Sequence, residues 1–513
     1  MVPITDTAPS RLPHRSLLAS GVLALCVLAL APVLGLGWFA FEGQAALGLD
    51  LGFDGPEQVR NTLALVVLVG LFTALLGTAT GWLTARCDFP GRRWLRIAQL
   101  LPLATPSYLL AATWIDLGSR FGIRVHGFAP TLLVMVLSTY SYVFLLSTES
   151  FSVSGRRQLE ACRSLGVGPW GSFRRVALPM ALPAIGAGVA LGGMEVVNEL
   201  GAVQLLGVPT LSTGILMRWQ QDGDPQGAVA LALMALVIVA LLVGAERSLR
   251  QRSRCWNLGN DGDADPHWKL RGTRRWLSQL TCLLPPLISL GVPLSWAAFS
   301  WDQIRPEDSA ELLALGSRSF GLALLAAALT VAGGLVLAIA KRWIPNALLQ
   351  RLSFLAGLGY AIPGTVLALA LMLIGGPLAL APLLLLVWGY ADRFLAVSKG
   401  GLDAALERIP PSVDEAATSL GNSWLGVLQR VHLPLLRGPL LVGGLLVFVD
   451  TVKELPLTFA LRPFDFDTLA VRVYQYASDE RVGAALVPAL LILALGIVAA
   501  MALIPSLERL ERG

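Results

Sequence analysis

This sequence has little charge and few of the residues that build metal sites or disulfide frameworks. Only 14% of its 513 residues are Asp, Glu, Lys or Arg, whereas a soluble globular protein carries about 25%. The five cysteines are an odd number and none lies within four residues of another, so the usual spacings for zinc ligands or paired disulfides do not occur. A soluble enzyme, a disordered scaffold and a secreted disulfide framework are therefore all disfavoured.

Apolar residues make up 55% of the chain. A helix needs roughly 20 such residues to cross about 30 Å of hydrocarbon, and stretches of this kind recur along the whole sequence. They predict an all-α integral membrane protein with about twelve transmembrane helices, and Pro102 and Pro106 are expected to start or kink the third. The predicted spans are 17–41, 60–85, 98–118, 129–149, 180–200, 226–246, 277–300, 316–340, 353–375, 379–399, 438–458 and 483–505.

The basic residues are unevenly divided between the two sides of the membrane. If the amino terminus is cytoplasmic, the inner segments hold 29 of the 39 Lys and Arg residues. Cytoplasmic loops of membrane proteins carry this excess, so both termini are expected in the cytoplasm. The net charge of +5 then reflects orientation in membrane lipid, and no nucleic-acid partner is predicted.

A polar stretch near the middle of the chain, 247–276, contains Asn257, Gly259, Asp261 and Pro266, which are residues typical of loops. It predicts a cytoplasmic linker between two six-helix halves. The predicted division is 1–58 for an N-terminal segment with the first span, 59–246 for the first repeated domain, 247–276 for the linker, 277–313 for the seventh span and an outer loop, and 314–505 for the second repeated domain.

The two halves repeat each other at an offset of 255 residues. Glu160-Ala-Cys-Arg-Ser-Leu-Gly166 recurs as Glu415-Ala-Ala-Thr-Ser-Leu-Gly421, and Arg175-Val-Ala-Leu-Pro179 recurs as Arg430-Val-His-Leu-Pro434. The same offset is expected to pair Thr213 with Thr468 and Trp219 with Tyr474. Six spans per half give both copies the same orientation, so a pseudo-twofold axis along the membrane normal and a path between the halves are expected.

The repeated segment lies between the fourth and fifth spans of each half, on the predicted cytoplasmic side. Its pattern predicts a short helix with small residues on one face, ended by a glycine in the left-handed conformation. A second short helix over 169–178 is expected to lead into the fifth span, with Pro179 in the first turn, where no backbone donor is needed. One copy alone could equally be a plain re-entry turn, but two matched copies favour a surface that docks into a partner.

The doubled motif resembles the EAA loop of type I, binding-protein-dependent ABC importer permeases, over roughly 60–250 and 318–505. The resemblance implies the ABC permease fold for both repeated domains, in a bacterial inner membrane. It also implies that each loop supplies a coupling helix to one subunit of an ATPase dimer, whose closure drives alternating access. The residues that it assigns to ATPase coupling are Glu160, Ala161, Ser164, Leu165, Gly166, Pro179, Glu415, Ala416, Ser419, Leu420, Gly421 and Pro434.

The sequence contains no phosphate-binding loop of its own. The G-x4-G-K-[ST] motif needs glycine before its lysine, but the four lysines follow Trp, Ala, Ser and Val. We therefore predict no catalytic residue and no cofactor in this chain, with ATP and magnesium held by the partner ATPase. The protein is expected to be a pore-forming subunit and not an enzyme.

Polar residues toward the outer ends of the fifth and eleventh spans are the candidates for a translocation path or gate, because ionisable groups at membrane depth are costly. Helical spacing would place Glu195 with Glu199, and Asp450 with Glu454, on one face of each span. A structural cluster in which Lys453 pairs with Asp450 or Glu454 is an equally good interpretation. The candidates are Glu195, Asn198, Glu199, Asp450, Lys453 and Glu454.

Two stretches are similar to fused ferric-iron permeases within this family: Asn198–Thr210 with Thr213–Ile215, and Lys453–Thr458 followed by Leu461–Tyr474 and Ala477–Arg481. The similarity implies ferric iron as cargo and an extracytoplasmic iron-binding protein as partner. Four hard oxygen donors suited to ferric iron fall in one predicted outer loop, where contact with the binding protein is favoured over a stable metal site, so no metal site is predicted. These donors are Asp465, Asp467, Tyr474 and Tyr476.

Other functions stay open at this point. Permeases for thiamine or another small solute share the two-half layout. A secondary transporter with two six-helix halves would couple to an ion gradient and should lack the small-faced helix before each fifth span. An integral membrane enzyme is a weaker alternative, because no His/Cys or carboxylate cluster gathers at one depth.

Overall fold

The computed structural model describes residues 13–42, 51–153, 162, 164–254, 268–303, 309–344 and 346–502. Helices make up nearly all of this part of the chain, as expected where lipid leaves backbone groups no water to bond. The strands in the described part are β1 (Cys87–Asp88) and β2 (Trp268–Lys269), which pair in parallel.

The first half begins with two long helices. Its helices are α1 (Pro13–Glu42), α2 (Gly55–Arg86), α3 (Arg92–Ala98), α4 (Ser107–Arg120), α5 (Phe128–Val153), α6 (Pro169–Ser172), α7 (Leu178–Asn198), α8 (Gly201–Leu205), α9 (Leu211–Gln220) and α10 (Pro225–Arg254). A 3-10 turn, Leu101–Ala104, separates α3 from α4.

The second half repeats this order of long and short helices. Its helices are α11 (Thr273–Pro286), α12 (Val292–Phe299), α13 (Ser309–Trp343), α14 (Ala347–Ala356), α15 (Gly364–Gly375), α16 (Pro382–Glu407), α17 (Pro411–Ser419), α18 (Trp424–Val427), α19 (Leu433–Val452), α20 (Pro456–Leu461), α21 (Leu469–Ser478) and α22 (Val482–Ala502). A 3-10 turn, Gly359–Ala361, separates α14 from α15.

Eight helices in the described part of the chain are long and apolar enough to cross a membrane, and two bent pairs raise the number to ten. The bent pairs are α3–α4 and α14–α15, at 90° and 115°. The two remaining predicted spans are also helical, but α22 has a shorter apolar stretch and α16 carries Asp392 and Arg393. The all-α membrane fold is confirmed, and the number twelve stays a prediction.

Each bend falls at a proline that precedes the second helix of the pair. Pro106 and Pro363 have extended ψ values of 142° and 138°. Proline lacks an N–H and its ring clashes with the preceding helical turn, so a helix stops there. The sequence predicted the kink at Pro106, but it predicted an unbroken ninth span over 353–375.

The duplication is visible in the backbone on the predicted cytoplasmic side. Helices α6 and α7 join through a π-helical turn, Phe173–Ala177, and α18 and α19 join through another, Leu428–His432. The π turns match at the offset of 255, and each is followed two residues later by Pro179 or Pro434. Because proline cannot donate the regular i→i−4 bond, a π turn before it accommodates the break. Each proline lies in the first turn of the α-helix that follows its π turn, as was predicted for Pro179.

The offset changes in the outer region. Thr210 is the N-cap of α9 and Thr468 is the N-cap of α21, which is a separation of 258. The predicted pairing of Thr213 with Thr468, and with it that of Trp219 with Tyr474, is therefore wrong. The second half carries three extra residues between the starts of α20 and α21.

The first helix of each half packs against the other half. In α1, Cys26 packs with Leu337 and Ala356 of the second half, and the indole of Trp388 donates to the Leu28 carbonyl oxygen over 3.0 Å. In lipid, such contacts are stabilised mainly by close packing. The predicted domain boundaries follow the order of the chain and do not describe its packing units.

The second half reaches across in the same manner through α11. Gln99 of the first half donates to the Cys282 carbonyl oxygen over 2.5 Å, and Gln279 donates to the Pro90 carbonyl oxygen over 2.9 Å. The predicted linker, 247–276, includes the ends of two helices, because α10 continues to Arg254 and α11 begins at Thr273. Most of the remainder, 255–267, lies outside the described residues.

A large apolar core joins the halves along their middle. Leu211 and Ile215 of α9 pack in one cluster with Leu367 and Leu371 of α15 and Leu457 of α20. These helices surround the ends of α7 and α19. The core therefore holds together the region in which the sequence places its path residues.

Candidate functional site

The repeated loop of the second half, 415–421, includes the end of α17. Gly421 has a φ of +80°, and the Asn422 N–H donates to the Ala417 carbonyl oxygen over 3.2 Å. This is the Schellman closure of a helix, in which any side chain at the glycine would be strained. Six residues of this segment, which we name the second coupling loop after its predicted role, are exposed: Glu415, Ala416, Thr418, Ser419, Leu420 and Gly421.

The first coupling loop, 160–166, ends with the same geometry. Gly166 has a φ of +75°, and the Val167 N–H donates to the Cys162 carbonyl oxygen over 2.8 Å. Ser164 is exposed, whereas Glu160 and Ala161 lie outside the described residues.

A leucine occupies the equivalent position of each loop, directly before the glycine. Leu165 is 80% exposed and Leu420 is 82% exposed. A large apolar side chain that is exposed twice at the same place in a repeat favours contact with a partner.

Asp414, the residue before Glu415, fixes α17 to the membrane helices behind it. Arg342 donates from Nε to the Asp414 Oδ2 atom over 2.7 Å, and Trp343 donates from Nε1 to the same oxygen over 3.1 Å. Nε2 of the buried His432 lies 3.1 Å from Oδ1. Three side chains from α13 and the second π turn thus meet on one carboxylate.

The same guanidinium also holds the turn that leads into α17. It donates to the carbonyl oxygens of Leu406, Ile409 and Pro410 over 3.0, 2.9 and 3.1 Å. Partial burial raises the pKa of Asp414. The hydrogen bonds from Arg342 and Trp343 and the nearby positive charge lower this pKa by a larger amount, so it lies below its ordinary value. Asp414 is therefore ionised at neutral pH, and we name this group the Asp414 clamp.

Aromatic packing holds the corresponding base of the first half. The Trp82 ring centroid lies 5.4 Å from that of Phe151, 5.1 Å from that of Phe173 and 5.6 Å from that of Trp268. Trp268 is in β2, at the end of the linker, so the linker closes this cluster. The buried Arg86 donates from Nε to the Phe151 carbonyl oxygen over 2.6 Å.

All six predicted path residues line one cavity of about 140 Å³ between the halves. The wall also includes Pro106 and Tyr360, which lie at the two bends, and Arg393 of α16. Six residues from two distant segments thus meet, as the pseudo-twofold arrangement predicts. Their part in transport stays a prediction.

Glu199 caps the short helix α8. Its carboxylate accepts a hydrogen bond from the Ala202 N–H over 2.8 Å and another from the Ser107 hydroxyl over 2.5 Å. Because α7 ends at Asn198, Glu199 lies beyond that helix. The prediction that it shares a helix face with Glu195 is wrong.

Glu454 has the same role in the second half. It is 6% exposed and accepts from the backbone N–H groups of Leu457 and Thr458, each over 2.9 Å. Helix α19 ends at Val452, so the predicted shared face with Asp450 is wrong as well. Both glutamates stabilise helix starts, where backbone donors are otherwise unpaired.

Asn198 and Lys453 occupy equivalent positions, and each contacts the bend of the other half. Asn198 accepts at Oδ1 from the Gly364 N–H over 2.7 Å, and Lys453 donates to the Leu103 carbonyl oxygen over 3.3 Å. Lys453 also forms an ion pair with Asp450 at 2.8 Å, which is one of the two pairings predicted for a structural cluster.

Glu195 meets two tyrosines that sequence reasoning missed. Its Oε1 atom accepts from the Tyr360 hydroxyl over 2.8 Å and from the Tyr142 hydroxyl over 3.3 Å. Each tyrosine lies within a predicted apolar span, and no local pattern connects them to Glu195. Only the depth of the three residues in their spans could have signalled the contact.

The oxygen donors of the predicted outer loop do not form a common site. Tyr474 and Tyr476 are buried in α21, and Asp467 pairs with Arg462 and, at 3.4 Å, with Arg472. Among the described residues, no group of three or more His, Cys, Asp or Glu side chains is placed to hold a metal ion.

Comparison with known proteins extends these observations. Residues 67–254 match the family described as binding-protein-dependent transport system inner membrane component. The chain is 28% identical over 445 residues to an Fe(3+)-transport system permease protein of Haemophilus influenzae, and the match covers 84% of this chain and 86% of that protein.

Other relatives match about half of the chain. A probable molybdenum ABC transporter permease protein of Haloferax volcanii is 30% identical over 252 residues, which are 47% of this chain and 92% of that protein. A sulfate transport system permease protein of Escherichia coli is 26% identical over 255 residues, which are 46% of this chain and 91% of that protein. These relatives have the length of one half, whereas the Haemophilus protein matches both halves.

Proposed function

Because the chain belongs to the family of inner membrane components of binding-protein-dependent transport systems, we propose that it is the fused permease subunit of an ABC importer for ferric iron. The observation that carries the coupling mechanism is the matched pair of coupling loops. Each has a left-handed glycine cap, at Gly166 and Gly421, and an exposed leucine, at Leu165 and Leu420.

The two coupling loops dock on the two subunits of a partner ATPase. Burying one exposed leucine contributes about 1.5–3 kcal/mol. The glycine caps give the backbone after both leucines the same left-handed turn, so little backbone entropy is lost on docking. Closure of the ATPase dimer then pulls both loops together. Each loop is followed within three residues by a span that the π turn keeps continuous, Pro169–Asn198 or Trp424–Val452, so this movement reaches the central cavity.

ATP hydrolysis belongs to the partner subunits in this proposal. ATP and magnesium bind there, and this chain needs no cofactor and no catalytic residue. The chain itself changes conformation, so that the same cavity opens first to one side of the membrane and then to the other.

The cavity favours a cation as cargo. Four carboxylates line it, together with the two basic groups of Arg393 and Lys453. Sulfate and molybdate, the cargoes named for the half-length relatives, are anions that an excess of carboxylates would repel. The relative that matches both halves is named for Fe(3+) transport, and ferric ion is a hard cation that prefers oxygen donors.

The outer face receives an iron-loaded binding protein. The three extra residues before α21 belong to a loop in which Phe464 is 95% exposed and Asp465 has a φ of +60°. This loop supplies the contact. The distribution of Lys and Arg supports the inner side for both coupling loops and for both termini.

The cargo is tested with the complete complex of permease, ATPase and binding protein in proteoliposomes. We expect uptake of radiolabelled ferric iron that requires ATP and the binding protein, with thiamine, molybdate and sulfate as rival cargoes. Transport of one of these rivals in place of iron would contradict the assignment of ferric iron as cargo. Uptake that an ion gradient drives without ATP would contradict the assignment of the protein to an ABC importer.

The docking of the coupling loops is tested by replacing both leucines, Leu165→Glu and Leu420→Glu. Because each substitution removes an apolar contact and introduces an unpaired charge, the amount of ATPase that copurifies should fall by about tenfold or more. Leu348→Ala is the matched control, because Leu348 is 64% exposed on the same side and outside both loops. An ATPase that stays bound to the double variant contradicts the proposal.

A further inference from the structure

Three oxygen-bearing side chains from both halves converge in the central cavity. Glu195 is contributed by α7 and Tyr142 by α5, whereas Tyr360 lies in the 3-10 turn between α14 and α15. Both hydroxyls donate to the same atom, Glu195 Oε1, over 2.8 Å for Tyr360 and 3.3 Å for Tyr142. The cluster therefore depends on contact between the two halves.

The equivalent position of the second half is neutralised. Asp450 corresponds to Glu195 in the repeat and pairs with Lys453 at 2.8 Å. The residue that corresponds to Lys453 in the first half is the uncharged Asn198. The hydrogen-bond donors to Glu195 are two neutral hydroxyls, whereas Lys453 pairs directly with Asp450.

Other polar atoms of the same cavity wall lack partners within the described part of the chain. The Oγ1 atom of Thr105 and the Oγ atom of Ser138 form no hydrogen bond there, and Thr105 is only 4% exposed. An unsatisfied buried hydroxyl costs about 1–3 kcal/mol. These oxygens indicate that the cavity is built to receive a polar ligand.

We propose that Glu195, Tyr142 and Tyr360 form a transit site for ferric ion. The proposal rests on the function proposed above, because it takes ferric iron as the cargo. Carboxylate and phenolic oxygens are hard donors, and both occur as iron or hard-cation ligands in proteins. The Glu195 carboxylate supplies the charge, and the two tyrosine oxygens complete one side of the ion's coordination.

The site is suited to passage and not to storage. Three protein oxygens leave about half of an octahedral shell to water or to groups that travel with the ion. Cargo on a transport path must bind well enough to enter and weakly enough to leave. Because Tyr360 belongs to the second half, movement of the halves apart would remove one ligand and promote release.

The test measures uptake of ferric iron, and of gallium(III) as a redox-inert substitute, per purified complex in proteoliposomes. Glu195→Gln keeps the size of the side chain but removes its charge, so we expect the maximum rate to fall about tenfold or more. Tyr360→Phe and Tyr142→Phe each remove one oxygen and should lower the rate about threefold. Glu195→Asp should restore part of the lost rate because it restores the charge.

The matched control is Tyr140→Phe. Tyr140 lies on the same helix as Tyr142, and its hydroxyl donates to Gln99 over 3.1 Å, so the control also loses one hydrogen bond but leaves the cluster intact. It should transport at the wild-type rate. The concentration of loaded binding protein that gives half-maximal uptake should be unchanged in the cluster variants, because docking occurs elsewhere.

The outcomes separate the two proposals. If the wild-type complex transports no ferric iron, the proposed cargo fails. If the wild type transports iron and the Glu195→Gln and Tyr360→Phe variants match it, the transit site alone is overturned. If Glu195→Asp is as slow as Glu195→Gln while both tyrosine variants are normal, Glu195 is structural and the site is likewise overturned.

Discussion

The two repeated loops, 160–166 and 415–421, end with the same backbone geometry but rest on different supports. In the second half, the Asp414 clamp ties α17 to the helices behind it through Arg342, Trp343 and His432. At the offset of 255 the first half has Leu159, Cys87, Asp88 and Ala177 in the four corresponding positions. No such clamp can be built from them, and aromatic packing around Trp82 takes its place.

The comparison shows which part of a docking surface is local and which is tertiary. The left-handed glycine and the exposed leucine are specified within a few residues and are the same in both copies. The support depends on residues far apart in the chain and differs between the copies. An ionic clamp and an aromatic cluster also respond differently to mutation and pH, so the comparison can be tested.

The largest effect is expected from breaking the clamp with Asp414→Asn. The change leaves Arg342 without its carboxylate partner in a partly buried position, which costs about 2–3 kcal/mol after allowing for solvent exposure. Iron-stimulated ATP hydrolysis by the assembled complex should fall about tenfold. Wild-type stimulation in this variant would show that the clamp is not needed for coupling.

Lys341→Gln is the control for that variant. Lys341 neighbours Arg342, but its ion pair with Glu407, at 3.1 Å, is exposed. Exposed pairs contribute about 0–1 kcal/mol. No measurable loss of stimulation is therefore expected.

A smaller effect is expected from Trp268→Ala in the first half. The variant removes one aromatic pair, worth about 0.5–1.5 kcal/mol beyond the buried area, and frees the end of the linker. Thermal unfolding of the purified chain should shift down by a few degrees, while coupling falls about threefold or less. Trp276→Ala is the control, because Trp276 is 68% exposed and its loss should not shift the midpoint.

The smallest effect is expected when lowering the pH reduces the local stability of 411–419. The pKa of Asp414 is lowered in the folded protein. Ionised Asp414 therefore stabilises the fold above its unfolded-state pKa of about 3.9, and this stabilisation is lost as the pH falls through its lower folded-state pKa. Hydrogen exchange of the amides in 411–419, corrected for intrinsic rates, should rise below about pH 4.

The same pH step should be missing from Asp414→Asn. It should also be missing from the first half, because its aromatic cluster does not titrate. A step of equal size at 169–177 would contradict the distinction between the two supports.

Several features of the fold could be predicted because residues close together in the sequence determine them. Apolar runs of membrane length define the helices, and Pro106 marks one of the two bends. The glycine that ends each coupling loop was predicted from its position in the motif, and both have a positive φ. The repeat offset also follows from sequence alone, up to the inserted residues before α21.

Other features could not be predicted because they depend on contacts across the molecule. Glu199 and Glu454 cap helices and do not share a face with Glu195 and Asp450, which becomes evident only once the ends of α7 and α19 are known. The exchange of first helices between the halves has no local signal. Neither has the meeting of Tyr360 with Glu195.

By itself, the sequence determined that this chain is a doubled, helical membrane protein with two matched loops. Helix formation in lipid and glycine-capped helix ends are decided by neighbouring residues, so they can be read locally. Only the tertiary structure decided which side chains enclose the cavity and how each loop is held. Those contacts join positions hundreds of residues apart, and their energies depend on distance and burial in the folded molecule.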